Sequence, residues 1–280
     1  MNLLKLVRPR MAASYLFLTV VVCGSLYPVV WIVLSSMKPG RSLYSATILP
    51  ERLTLIHYVE LFRDNNLMFP VWYMNTLKIA LLTMLLSTAL VSVSAYALSR
   101  FRFPMRRFAL SKMLVLGMFP GFMSMVAVYM LLMQLGLLNT HAALVLVYSF
   151  GAIVFNLFIV KGYFDTLPKG LEEAARIDGA GNMTVFLKIM LPLSKPILVF
   201  VALTTFSGVW MDYIFASVVL RSRDKWTVAV GLYDMVNSYQ NANFTLFAAA
   251  SVFIAVPITL LFIYLQRYFA GGLTAGANKG

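Results

Sequence analysis

Apolar residues fall into six runs along the chain, 14–36, 76–98, 109–133, 141–161, 197–220 and 244–266, separated by shorter polar stretches. A helix rising 1.5 Å per residue needs about 20 residues to cross about 30 Å of hydrocarbon, so these runs predict six transmembrane α-helices. The stretch 162–196 breaks this pattern. Pro168 is placed to open a helix at its first turn and Gly179 to close it, giving about eleven residues. After the Gly-Ala-Gly-Asn break, Asn182 is expected to cap a second short helix through Phe186 and Ile189, with Pro192 ending it. Neither piece reaches across a bilayer.

On the first short helix Leu171, Ala174, Ala175 and Asp178 recur at i, i+3, i+4 and i+7, while Glu172 and Glu173 lie in its first turns, where negative charge suits the helix dipole. Small alanines let such a face approach another protein closely. One reading is a helical hairpin resting on the membrane surface. The other is a docking surface for a soluble partner with a basic groove, which adjacent glutamates favour because anionic headgroups repel them.

Composition settles the class. With 61% hydrophobic residues in 280 and a mean hydropathy of +0.83, the chain reads as an integral membrane protein. A net charge of +13 does not point to nucleic acid, since the cations are scattered over short loops. With the N-terminus inside, fifteen Lys and Arg residues lie on the inner side and seven on the outer. The positive-inside rule therefore puts both termini and the 162–196 loop in the cytoplasm. The first run is too long for a signal-peptide core and shows no small-residue cleavage site, so it is read as an uncleaved helix. One cysteine, Cys23, excludes an internal disulfide framework and any cysteine-based metal cluster.

Pro28, Pro120 beside Gly121, and Pro257 interrupt hydrogen bonding within the spans, as packing kinks or as bends lining a pathway; 117–121 is the best placed for the latter. Asp212 is the one acid inside an expected span, in its outer third. It serves either a functional site or a structural hydrogen bond to a neighbouring helix or partner subunit. Asn156 carries the same two readings. Outside, 37–75 and 221–243 are long enough to contact a soluble protein. His57 and His141 join no triad or metal set, the glycines at 271–276 lack a following Lys-Ser or Lys-Thr, and no catalytic constellation is visible.

Glu173-Ala174-Ala175, then Asp178-Gly179-Ala180, then Phe186, Ile189, Leu191-Pro192 and Pro196 resemble the EAA signature of the membrane subunits of binding-protein-dependent ABC importers. Further blocks from 75 onward, among them 95–100, 136–140, 226–232 and 266–268, are similar to carbohydrate-uptake permeases, and the ending 272–280 resembles the tail of the maltose-type permease. The resemblance implies a type I importer subunit of six transmembrane helices whose 162–196 loop forms coupling helices. Glu172, Glu173, Ala174, Ala175, Asp178, Gly179, Ala180, Phe186, Ile189 and Pro192 would dock on a cytoplasmic ATPase dimer. Leu273, Thr274, Ala275, Gly276 and Lys279, in the tail 267–280, would reach into that dimer. Asn156 and Asp212 stand as pathway or partner-permease contacts. The implied partners are a homologous second permease, the ATPase, an extracytoplasmic sugar-binding protein and the lipid of a bacterial inner membrane. No catalytic residue, metal or cofactor is expected on this chain, ATP being bound by the ATPase. Maltose or maltodextrin is the expected cargo, with an arabinogalactan-type oligosaccharide next. An ATP-independent secondary transporter is the alternative class, but it would show an internal repeat and a midplane acid, and neither is found.

Overall fold

A computed structural model describes residues 9–42, 52–64, 67–237 and 242–268, and the regular structure among them is helical. In order come α1 (Pro9–Ser36), α2 (Ile56–Arg63), α3 (Phe69–Arg100), α4 (Arg106–Met118), a 3-10 turn (Gly121–Ser124) and α5 (Met125–Gln134). Next are α6 (His141–Thr166), α7 (Lys169–Ile177), α8 (Asn182–Val185), a π turn (Phe186–Met190), α9 (Leu191–Leu193), α10 (Lys195–Met211) and α11 (Ile214–Val219). A 3-10 turn (Arg223–Lys225), α12 (Val228–Asn237) and α13 (Phe244–Leu265) close the series. Four helices, Met11–Ser36, Phe69–Arg100, His141–Thr166 and Phe244–Leu265, are long and apolar enough to cross a membrane, and two bent pairs raise this to six if each counts as one span.

Contacts divide the chain into two units. In the first, 1–67 with 234–255, α1 exposes every side chain from 11 to 30, an arrangement that an apolar helix tolerates only in lipid or against another apolar surface. Gly40, at φ +90°, turns the chain after α1, and its carbonyl accepts from Thr245 Oγ1 at 2.6 Å. The buried His57 ring bonds the Lys38 carbonyl at 2.8 Å, a structural role that needs no metal.

In the second unit, α3, α6 and α10 pack along one another. At one end of this packing Val91, Ala95, Leu157, Val160, Phe164 and Val201 form a buried core together with Val185, Phe186 and Met190 from the segment after α7. Polar hubs fix the loops. Asn139, at φ 59°, accepts from the backbone amides of Arg221 and Ser222, both at 3.0 Å, and donates to Ser222 Oγ at 2.7 Å. Trp72 is fully buried and donates from Nε1 to the Arg223 carbonyl at 2.8 Å. Its ring lies where a Cβ on Gly231 would stand.

Two expected spans are not straight. The run 109–133 divides at Phe119–Pro120 into helices bent by 96°, because the proline cannot donate and holds its predecessor extended. The run 197–220 divides at Asp212, whose backbone is extended and whose carboxylate accepts from the amides of Phe215 and Ala216, each at 3.2 Å. The acid thus ends α10 and caps α11.

Candidate functional site

The segment after α6 is built around a turn that glycine permits. Pro168 stands at the N-cap of α7. Past its end Gly179 adopts φ +85°, its amide bonds Arg176 O at 3.0 Å, and the Ala180 amide bonds Ala175 O at 2.9 Å. These two bonds make a Schellman cap that satisfies the last carbonyls and reverses the chain. Asn182 is the first helical residue of α8 rather than its cap, which is Gly181. Pro192 does not end the second helix, because the wider π turn at Phe186–Met190 precedes it and relieves the clash an α-helical register would impose on its ring. The helix runs on to Leu193.

One side of this hairpin is locked to the helical core. Glu172 is 5% exposed and forms an ion pair with Arg100 at the end of α3. Arg100 also donates to Ser99 Oγ at 3.0 Å and to the Leu167 carbonyl at 3.3 Å. Ser99 in turn donates to Asp165 Oδ1 at 2.6 Å, and Lys161 to Asp165 Oδ2 at 2.5 Å. The Phe186 ring lies 4.9 Å from that of Tyr96.

These contacts revise two expected docking residues. Glu172 and Phe186 face inward, the first because a carboxylate beside Arg100 is better compensated there than in an interface, the second because its ring completes the core. Ala175, Ala180 and Ile189 are half-buried, while Glu173, Ala174, Asp178, Gly179 and Pro192 face outward. The outward side also carries Ile177, 87% exposed, and Met183, 68% exposed. In sequence Ile177 stands at i+3 from Ala174 and i+4 from Glu173, which puts it on their face of the helix. Glu173, Ile177 and Met183 thus stand exposed on a turn whose other side is buried.

Asn156 and Asp212 meet elsewhere, in one cavity of about 630 Å³ lined from α3, α5, α6, α10 and α11. Asp212 accepts from the Tyr148 hydroxyl of α6. Asn156 donates from Nδ2 to the Ala152 carbonyl at 3.0 Å. The bend at Gly121 lines the same space. Leu273, Thr274, Ala275, Gly276 and Lys279 lie outside the described residues. Among the described residues no three His, Cys, Asp or Glu side chains converge as metal ligands do.

A family of sequences described as the binding-protein-dependent transport system inner membrane component matches residues 88–274. The chain belongs to this family. It is 42% identical over 97% of its length to the galactooligosaccharides transport system permease protein GanQ of Bacillus subtilis, covering 96% of that protein. It is 39% identical to the maltodextrin permease protein MdxG of the same organism, over 95% of each chain. With the maltose/maltodextrin permease MalG of Salmonella typhimurium it shares 36% identity over 97% of this chain and 96% of that one. The fold matches a solved chain of a bacterial ABC transporter involved in the import of the acidic polysaccharide alginate, with a TM-score of 0.80, 24% identity, and coverage of 92% and 95%. The protein is therefore a multi-pass permease subunit of a sugar ABC importer. Such subunits are non-catalytic and bind no cofactor; ATP is used by the partner ATPase.

Proposed function

We propose that this chain forms half of the pathway of an ATP-driven importer of neutral hexose oligosaccharides, with α7 and α8 as its coupling element. The supporting observation is the two-sided loop. Its inner side is tied to α3 and α6 through Arg100–Glu172 and the buried Val185, Phe186 and Met190, while its outer side offers Glu173, Ile177 and Met183. Force applied to the outer side by an ATPase is carried into the spans because the inner side cannot slide independently. The excess of Lys and Arg on one side of the spans supports a cytoplasmic loop and cytoplasmic termini. The further partners are a homologous permease, an ATPase dimer that the 273–280 tail also contacts, and an extracytoplasmic sugar-binding protein. Alternating access then follows if ATP and the loaded binding protein favour one state over the other.

Maltodextrin is one cargo reading, and the 42% identity to a galactooligosaccharide permease favours a second. Uptake of labelled maltotriose, competed by unlabelled galactotriose, ranks them. The coupling role is tested by Glu173→Lys, which sets cation against cation at the ATPase groove and weakens a desolvated contact by about 2–5 kcal/mol. The variant is expected to insert, retain its partner permease, and lose the ATPase on purification or lose ATP-driven uptake. A charge-swapped ATPase should restore it. Full uptake with full ATPase retention would remove the loop from the coupling role.

A further inference from the structure

The cavity holding Asn156 and Asp212 has a surplus of hydrogen-bond acceptors. Asn156 is 4% exposed and Thr83 is 1% exposed, and neither Asn156 Oδ1 nor Thr83 Oγ1 has a hydrogen-bond partner among the described residues. Thr204 and Thr205 donate their protons to carbonyls of their own helix, at 2.9 Å to Phe200 and 2.7 Å to Val201, which leaves their oxygens free to accept. Asp212 Oδ2 takes the Tyr148 hydroxyl and the Ala216 amide, whereas Oδ1 takes the Phe215 amide alone, so Oδ1 retains an accepting site. Buried acceptors of this kind are costly unless a ligand supplies donors.

The lining excludes two ligand classes. It carries the Asp212 carboxylate and no basic side chain, so an anionic sugar would meet repulsion with no compensating cation. A lipid tail would leave every acceptor unmet. What fits is a ring with many hydroxyl donors and an apolar C–H face, and Phe122, Phe155 and Phe215 supply flat apolar surfaces for that face. The volume of about 630 Å³ lies within the range of about 300–1,000 Å³ that small-molecule sites occupy. Gly151 and Gly208 keep it open: both line it, and a Cβ on either meets nothing within 4 Å.

We propose that this cavity is a sugar subsite contributed by this chain itself, taking a neutral pyranose unit whose hydroxyls donate to Asn156 Oδ1, Asp212 Oδ1 and Thr83 Oγ1. The choice of a sugar over an organic cation rests on the reading of the chain as an oligosaccharide permease.

The test uses the assembled transporter with Cys23 replaced. Gly208→Cys places a thiol in the cavity, and its rate of maleimide labelling is followed with maltotriose, with galactotriose, with an alginate trisaccharide and with spermidine. One or both neutral sugars are expected to slow labelling, and the acidic trisaccharide and the amine are not. In uptake assays Gly208→Phe, which fills the space, is expected to lose about tenfold or more, and Asn156→Ala about threefold to tenfold, the worth of one hydrogen bond. Both variants should keep the ATPase through purification. Unchanged uptake in both, equal protection by the acidic trisaccharide, or protection by spermidine alone overturns the subsite. Loss of the ATPase from the unmodified complex would instead defeat the importer reading, so the two failures are distinguishable.

Discussion

The bond between Arg100 and Glu172 is the sharpest place to perturb the machine. Both side chains are almost fully enclosed, 5% and 7% exposed, so truncating Arg100 to alanine leaves a buried carboxylate without its ion-pair partner. Breaking one partner of a buried pair costs about 3–5 kcal/mol, which is about a hundredfold to several-thousandfold in an equilibrium. Solvent screening takes little from this figure. Arg100 also donates to the Leu167 carbonyl at 3.3 Å, so the same change frees the linker between α6 and α7. The expected result is a loop that leaves the core while the spans stay folded: Arg176 and Lys188 become faster trypsin sites in inside-out vesicles, and ATP-driven uptake falls. The double variant Arg100→Met with Glu172→Leu removes both charges and keeps volume, and it should recover trypsin resistance because replacing a buried pair by apolar residues is neutral or stabilising. If Arg100→Ala is cleaved and transports like the parent, the pair does not hold the loop.

Three further outcomes follow from the packing. Gly231→Ala drives a methyl into the Trp72 ring, and overpacking of this kind should cost about 1–3 kcal/mol, read as a lower Tm of the purified subunit complex. Asn139→Ala loses two accepted amides and one donated bond at a residue with φ 59°. A loss of about 2–3 kcal/mol and faster proteolysis at Arg221 and Arg223 are expected, with Asn139→Gly recovering only the backbone part. Single cysteines at Asn182 and Ser222, in a chain with Cys23 replaced, should label from opposite faces of the membrane. Labelling of both by an impermeant maleimide in intact cells would contradict the topology.

The class of the molecule was legible in its hydropathy, because lipid demands long apolar helices and little else produces them. Four of the six runs match helices that pass as spans on length and composition, 109–133 is bent at Phe119–Pro120, and 197–220 is divided at Asp212. Pro120 marked the first break openly. The second was hidden in Asp212: a carboxylate in an apolar run reads as a ligand-binding or interhelical group, and local sequence does not reveal that its oxygens cap the next helix. In the 162–196 loop, glycine marked the turn at Gly179, but periodicity did not separate the adjacent glutamates. Their side chains point about 100° apart on a helix, so one faces the core while the other faces outward, and only Arg100, 72 residues earlier in the chain, decides which.

The outward turn after α7 and the cavity are joined by shared helices rather than by a chain of polar contacts. Thr83 and Arg100 are both on α3, so the cavity wall and the anchor of Glu172 are about 25 Å apart on one rigid rod. Asn156 and Asp165 share α6 in the same way, and α10, which carries Gly208 and ends at Asp212, starts at Lys195 directly after the loop. Leu157 and Val201 share one buried cluster with Val185 and Met190, so a displacement of α8 is felt by α6 and α10. A close-packed interior passes such a shift along without absorbing it. The helices change direction at Pro120, at Ser194, where the loop meets α10 at 78°, and at Asp212. Gly121, beside the first break, and Asp212 both line the cavity, so two of these changes of direction fall where the unpaired Asn156 Oδ1 and Thr83 Oγ1 lie.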